Sequence, residues 1–143
     1  MAHESKDSDI LLHGGCLCGR LRYALRADEI VGAGYCHCRL CQRSTGAPVV
    51  AWLTLPVEFF DYIKGRPTPY LSSRSYMREF CPDCGTQIAF RAVDPEPTLD
   101  VTIASLDDPA RVPPRKHIWC ESQTPWLSMG DDLPRHARGS NGG

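Results

Sequence analysis

Two cysteines are separated by two residues in Phe80-Cys81-Pro82-Asp83-Cys84-Gly85, where proline and glycine favour a tight turn. A Cys-x-x-Cys turn of this kind aims two sulfur atoms at one point, about 2.3 Å from a tetrahedral zinc ion. A second pair occurs far upstream in Gly14-Gly15-Cys16-Leu17-Cys18-Gly19, which is also flanked by glycine. Two pairs from distant segments form a closed four-sulfur site, so we predict a structural zinc held by Cys16, Cys18, Cys81 and Cys84. Free buried thiols or redox pairs are the alternative interpretation.

A third cluster, Cys36-His37-Cys38-Arg39-Leu40-Cys41, offers three sulfur atoms from one short segment. Because it can supply three ligands by itself, the two distant pairs are left to join each other. Three protein ligands plus water are typical of a catalytic zinc site, whereas four are typical of a structural one. The spacing alone leaves both forms open, and the candidates for a fourth ligand are His37, His117 and Cys120. We expect the His37 ring, which lies between two ligand cysteines, to point away from the metal.

The composition is that of an ordinary soluble chain of 143 residues, the length of one domain. Sixteen basic and seventeen acidic side chains give a formal charge of −1, which disfavours a nucleic-acid binder that relies on bulk positive charge. If seven thiolates hold two Zn²⁺ ions, the net charge becomes about −4, and nucleic acid is disfavoured further. No apolar run approaches the roughly 18 residues needed to span a bilayer, so no membrane partner is expected.

Eight cysteines are the unusual feature of this composition. The N-terminus is polar and lacks the apolar segment of a signal peptide, so we expect a cytoplasmic location, where thiols stay reduced. Clustered cysteines in a reducing compartment are more often metal ligands or catalytic groups than disulfides. We expect a flexible N-terminal arm over residues 1–10, one zinc-binding domain over residues 11–130, and a flexible polar tail over residues 131–143.

The rest of the chain favours short strands. Leu21, Tyr23 and Leu25 alternate with polar or small residues, which is the period of a half-buried strand. Further strands are predicted over residues 48–55, 57–63, 75–80, 86–91 and 98–103. The residues around Arg39 tolerate one short helical turn. Since no long stretch has a helical period, we predict a mainly β fold of antiparallel sheets, stapled by zinc and with little helix.

The ordered set of cysteine motifs resembles one known family. Gly15-Cys16-x-Cys18-Gly19, Cys36-His37-Cys38-x-x-Cys41 and Phe80-Cys81-x-x-Cys84-Gly85 are similar to motifs of the glutathione-dependent formaldehyde-activating enzyme family, also called the centromere protein V-like family. The resemblance covers roughly residues 11–134. It continues through Gly46-Ala47-Pro48, Ser105-Leu106-Asp107-Asp108-Pro109, His117-Ile118-Trp119 and Pro125-Trp126.

This resemblance implies a β-tent fold and two zinc ions per chain. It implies a structural zinc on the two distant pairs and a second zinc with an open position, held by Cys36, Cys38 and Cys41. It also implies carbon–sulfur lyase chemistry, since the namesake of the family promotes formation of S-hydroxymethylglutathione from formaldehyde and glutathione. The three cysteines of the second site are therefore the expected catalytic residues, with glutathione as the expected co-substrate. No glutathione-binding motif can be matched in this sequence.

An open zinc position suits chemistry between a thiol and an aldehyde. It can bind a substrate thiol and lower its pKa, or it can polarise a carbonyl group. Because three thiolates donate strongly to the metal, the thiol-binding role is favoured. An anionic substrate needs cations, and Arg39 and Arg43 are the nearest candidates.

A different class of function also fits the motifs. The same fold could be a non-catalytic zinc-stabilised module that binds a protein or a nucleic acid, because fold does not fix function. The lack of an obvious general base beside the cysteines favours this alternative. A fourth protein ligand at the second site would exclude the catalytic interpretation. The sequence does not decide between a monomer and a homodimer.

Overall fold

Strands with one buried face dominate the computed structural model, which describes residues 10–94 and 96–139. Tyr23 and Leu25 are fully buried, while Arg22 and Arg26 on either side reach solvent. This is the alternation that the period-two pattern predicts. The prediction of a mainly β fold with antiparallel sheets and little helix is confirmed.

The strands of the described residues form two sheets. The smaller sheet has the order β1-β2-β5, and the larger one has the order β10-β3-β4-β9-β8-β7-β6. All neighbouring strands run antiparallel, except that β10 runs parallel to β3. The strands are β1 (Leu11–Gly15), β2 (Arg22–Arg26), β3 (Gly32–Cys36), β4 (Val50–Pro56), β5 (Phe60–Lys64), β6 (Thr68–Leu71), β7 (Tyr76–Phe80), β8 (Gln87–Ala92), β9 (Thr98–Thr102) and β10 (His117–Ile118).

The larger sheet has one face toward the core and one toward the candidate site. Leu53, Val101 and Ala89 are cross-strand neighbours and are fully buried. They pack in one cluster with Tyr23 and Phe60 of the smaller sheet. Because successive residues of a strand point to opposite faces, the intervening residues lie on the other side. These include Trp52, Thr54, Arg78, Phe90 and Asp100.

One α-helix lies at the edge of that second face. Helix α1 (Arg39–Thr45) begins after Cys38, whose sulfur accepts a hydrogen bond from the backbone N–H of Cys41 at 3.3 Å. It ends at Gly46, where φ is 76° and the chain reverses toward β4. The predicted helical turn is therefore present, and it places two cysteines within one turn of each other.

Several elements were not predicted from the sequence. Strands β1, β3, β6 and β10 lack a clear apolar alternation, since β3 is rich in glycine and β6 is an exposed edge strand. The strand predicted over residues 57–63 begins only at Phe60, after a 3-10 turn (Val57–Phe59).

Backbone hydrogen bonds join the C-terminal segment to the rest of the described chain. The backbone N–H of His117 donates to the carbonyl of Pro134, and those of Trp119 and Cys120 donate to the carbonyls of Arg138 and His136. Residues 134–138 therefore lie along residues 117–121 as part of the fold. The predicted arm over residues 1–10 and the last four residues of the tail fall almost wholly outside the described residues.

The described helices include none that is both long and apolar enough to cross a membrane.

Gly65, which links β5 to β6, provides a test of this architecture. Its φ is 73°, and an added Cβ would collide with the carbonyl oxygen of Arg20. We expect Gly65→Ala to lower the free energy of unfolding by about 1–3 kcal/mol, measured by urea denaturation. Gly130→Ala is the control, because its added Cβ meets nothing within 4 Å. Equal stability of the two variants would contradict this account of the turn.

Candidate metal centre and adjoining cavity

The structure brings together the two distant cysteine pairs. The sulfur atoms of this four-cysteine cluster all lie within 4.8 Å of one another. The Cys16 and Cys18 sulfurs are 3.5 Å apart, and those of Cys18 and Cys81 are 3.7 Å apart. Four sulfurs bonded at 2.3 Å to a tetrahedral ion would be separated by about 3.8 Å. The geometry therefore fits one zinc ion held by Cys16, Cys18, Cys81 and Cys84.

Nearby hydrogen-bond donors suit the thiolate form of this cluster. The backbone N–H of Leu21 donates to the Cys16 sulfur at 3.3 Å, and that of Asp83 donates to the Cys81 sulfur at 3.4 Å. Hydrogen bonds from the side chain and backbone of Thr86 lower the pKa of Cys84 to about 5. Because thiolate is the form that binds metal, these donors are a second reason why the cluster could hold zinc.

The three-cysteine cluster consists of Cys36, Cys38 and Cys41, whose sulfurs also lie within 4.8 Å of one another. Cys36 ends β3, Cys38 precedes α1, and Cys41 lies in the first turn of that helix. Among the described residues, no histidine, carboxylate or further cysteine joins this group. The cluster could therefore hold zinc through three sulfurs, with one position left for another ligand.

The three sulfurs of this cluster strongly influence one another. Hydrogen bonding from Cys36 and Cys41 lowers the pKa of Cys38 to about 2. The same contacts with Cys38 and Cys41, together with burial, raise the pKa of Cys36. The cluster therefore favours at least one thiolate even without an ion, as expected for a group of sulfur ligands.

The two histidines that were candidate fourth ligands bind each other instead. The Nε2 atom of His37 lies 2.9 Å from Nδ1 of His117, and Nε2 of His117 lies 3.0 Å from both carboxylate oxygens of Asp131. Because the carboxylate accepts, His117 Nε2 carries a proton, and in the neutral form of His117 its Nδ1 accepts from Nε2–H of His37. Both rings are fully buried. The pair ties the C-terminal segment to the chain beside the three-cysteine cluster.

A cavity of about 830 Å³ opens above the three-cysteine cluster. All three cysteines line it, so a fourth ligand could reach the cluster from this side. The lining also has aromatic and polar parts. The aromatic part consists of Trp52, Tyr76, Phe90 and Trp119, and the polar part includes Arg39, Thr54, Arg78, Arg91, Glu96, Asp100 and Lys116.

The aromatic wall is held in a defined arrangement. Tyr76 stacks on Phe90 with ring centroids 4.9 Å apart, and Trp52 packs against Phe90 at 6.2 Å. Trp119 has a φ of 59°, which is rare for a large side chain. Its backbone N–H is bound to the carbonyl of Arg138, so the C-terminal segment helps to hold this strained residue at the cavity.

The two arginines proposed from the sequence have different positions. Arg39 lines the cavity, and its guanidinium donates to the side-chain oxygen of Gln42. Arg43 is exposed on α1 and does not line this cavity.

Cys120, the third candidate for the fourth ligand, lies outside both cysteine clusters.

Sequence reasoning missed most of the charged residues of the cavity, and two of them lie in the middle of strands. Arg78 lies in β7 and is only 4% exposed, and Asp100 lies in β9. Burial raises the pKa of Asp100, whose carboxylate accepts a hydrogen bond from Thr54. Both residues occupy polar positions of an alternating strand, which would ordinarily face solvent. The available signal was an aspartate between Leu99 and Val101 and an arginine after Met77.

A mainly antiparallel β fold with a four-cysteine cluster, and with a three-cysteine cluster beside a cavity, defines a protein that could bind zinc at two sites. The family model described as glutathione-dependent formaldehyde-activating enzyme matches residues 11–122, and the chain belongs to this family. A crystal structure of a Rhodobacter sphaeroides protein from a structural genomics programme has the same fold, with a TM-score of 0.55 and 22% identity. That match covers 66% of this chain and 87% of the other. No curated protein matches the chain.

The four-cysteine cluster can be tested by metal content and stability. We expect Cys81→Ser to lower the zinc content from two ions per chain to one or fewer and to destabilise the fold strongly, because a structural zinc contributes directly to folding. Mass spectrometry of the bound metal and thermal denaturation measure the two effects. Cys120→Ser is the control and should retain both ions. A Cys81→Ser protein with unchanged metal content and melting would exclude this ligand set.

Proposed function

We propose that the protein is a zinc-dependent enzyme that makes or breaks an adduct between a thiol and an aldehyde. This is carbon–sulfur lyase chemistry of the S-hydroxymethylglutathione type. The observation that carries the proposal is the position of Cys36, Cys38 and Cys41 on the wall of the 830 Å³ cavity. Family membership supports the same chemistry.

The cysteines would divide into two roles. Cys36, Cys38 and Cys41 would hold the reactive zinc, while Cys16, Cys18, Cys81 and Cys84 would hold the structural one. When bound at the three-cysteine cluster, zinc supplies a position that stabilises a thiol as thiolate at neutral pH. In adduct formation the thiol gives up its proton and its sulfur attacks the aldehyde carbon. A C–S bond forms, the π bond of the carbonyl breaks, and the carbonyl oxygen takes up a proton. In the reverse direction the hydroxyl proton is lost, the C=O bond re-forms, the C–S bond breaks, and the sulfur takes up a proton.

The cavity walls would select and shield the reactants. Trp52, Phe90 and Trp119 limit the access of water to the cysteine end, where a thiol must compete with water for the fourth position. Thr54 is four residues along β4 from Val50, the partner of Cys36, so the far end lies about 13 Å from the cluster. Asp100 and Lys116 lie at that end and would contact the polar groups of a longer thiol.

The size of the cavity supports a substrate such as glutathione. Its volume falls within the range of about 300–1,000 Å³ found for small-molecule sites. Arg39 lines the cavity near the cysteines and could contact a carboxylate of the substrate. A small aldehyde would occupy the remaining space beside the bound sulfur. The proposed partners are therefore a thiol and an aldehyde, with glutathione as the first thiol to test.

The competing proposal, a non-catalytic binding module, makes a different demand on the second cluster. A purely structural site there would be expected to have four protein ligands. Among the described residues the group has three, and the two candidate histidines are bound to each other. This arrangement favours the enzymatic proposal.

The enzymatic proposal predicts faster exchange between free and adduct forms. Proton NMR exchange spectroscopy of formaldehyde with glutathione, and with 2-mercaptoethanol for comparison, measures the rate. We expect Cys38→Ser to lose at least about 100-fold of the protein-dependent rate, since metal stabilisation of the reacting group is worth several kcal/mol. Circular dichroism of the variant checks that its fold is retained.

Cys120→Ser is the matched control for this experiment and should keep the full rate, because Cys120 lies outside both clusters. A Cys38→Ser protein that has lost zinc from the second site but exchanges as fast as the native chain would exclude the proposed role. Acceleration with 2-mercaptoethanol but not with glutathione would retain the chemistry and reject glutathione as the substrate.

A further inference from the structure

A buried arginine contacts the three-cysteine cluster from the floor of the cavity. Arg78 is only 4% exposed, and two of its guanidinium nitrogens lie 3.8 and 3.9 Å from the sulfur of Cys41. The same guanidinium lies over the ring of Phe90, 4.8 Å from its centroid. Arg78 and Phe90 are cross-strand partners in β7 and β8, so the sheet register fixes this arrangement.

The charge of Arg78 has no carboxylate partner in the described part of the chain. Neighbouring Arg91 shows the contrast, since it forms an ion pair with Glu79 at 3.0 Å. An arginine does not lose its proton in a protein, and a buried charge is costly unless an opposite charge balances it. The contacts of Arg78 are a cysteine sulfur and an aromatic face. Of these two contacts, only the sulfur of Cys41 can carry a negative charge, so a thiolate of the cluster is the anion nearest to Arg78.

The charge of a loaded cluster matches this requirement. Three thiolates and one Zn²⁺ ion carry one net negative charge, which the single positive charge of Arg78 neutralises. A fourth thiolate would add another negative charge, and Arg78 would then hold the total at one rather than two. A hydrogen-bond donor at Cys41 also weakens the donation of this sulfur to the metal, which leaves the metal a better acceptor.

We propose that Arg78 is a positioning residue that adapts the three-cysteine cluster to an anionic fourth ligand, namely a substrate thiolate. This inference rests on the proposed function, because it assumes that the cluster holds a metal with one position open to the cavity. Arg78 acts through Cys41 and through its charge. Its removal should therefore weaken the binding of a thiolate much more than the binding of a neutral ligand.

Replacement of zinc by Co²⁺ makes the fourth position visible by its absorption spectrum. Only the three-cysteine cluster should respond to an added ligand, since the other cluster is already complete. 2-Mercaptoethanol serves as the thiolate probe and imidazole as the neutral probe. For Arg78→Met we expect at least about tenfold weaker binding of the thiolate, because a unit charge a few ångströms away is lost. Binding of imidazole should change by less than about twofold.

Three further variants sharpen the experiment. Arg43→Met removes the same charge from an exposed site on α1 and should bind both probes as the native chain does. Arg78→Lys keeps the charge and should restore most of the thiolate affinity. Arg78→Gln is a second neutral variant, to be used if Arg78→Met does not fold, and it should lose thiolate affinity in the same selective way.

The outcomes separate this inference from the proposed function. If the native Co²⁺ protein does not respond to either probe, the proposed open site is wrong, and the role of Arg78 is rejected with it. If the native protein responds but both neutral Arg78 variants bind the thiolate as tightly as the native protein does, only the role of Arg78 is rejected. Equal weakening of both probes would also reject it, because it would show a general structural effect.

Discussion

Four sulfur atoms from two distant segments meet at one point, and this contact constrains how the two sheets are joined. Cys16 and Cys18 lie in the loop between β1 and β2 of the smaller sheet, whereas Cys81 and Cys84 lie in the turn between β7 and β8 of the larger sheet. The cluster therefore joins the two sheets at one end. A hydrogen bond from the backbone N–H of Leu17 to the Thr86 hydroxyl at 3.0 Å reinforces this junction. Burial of Tyr23, Leu53 and their neighbours between the sheets supplies the remaining cohesion.

The three-cysteine cluster lies outside the junction that the four-cysteine cluster forms between the sheets. Its cysteines come from one short segment at the end of β3, and the surrounding cavity is built from the outer face of the larger sheet. The buried His37 and His117 are hydrogen-bonded to each other beside this segment, and the C-terminal residues are hydrogen-bonded to β10 and the residues that follow it. These contacts surround the three sulfurs on one side, while the other side of the group faces the cavity.

The sequence predicts the parts of the structure that depend on local spacing. Cysteine spacing predicts both clusters, and apolar alternation predicts strands such as β2 and β9. Both patterns are visible in the sequence because they are repeated over a few neighbouring residues. Alternation cannot distinguish a face that meets solvent from one that meets a cavity, so Arg78 and Asp100 were not recognised. The bonds of the C-terminal segment to β10 link backbone groups, which leave little trace in the side-chain pattern. The glycine-rich β3 was missed for a related reason, since its residues have few side-chain atoms to reveal a buried face.

The alternating faces of β4 have a consequence for how such a protein could change over evolutionary time. Leu53 and Leu55 point into the core, while Trp52 and Thr54 point into the cavity. Residues that maintain the fold and residues that contact a ligand thus occupy adjacent positions but opposite sides of one sheet. A substitution on the cavity side can alter selectivity while the packing between the sheets stays the same. The strand therefore allows changes in what the cavity binds at little risk to folding.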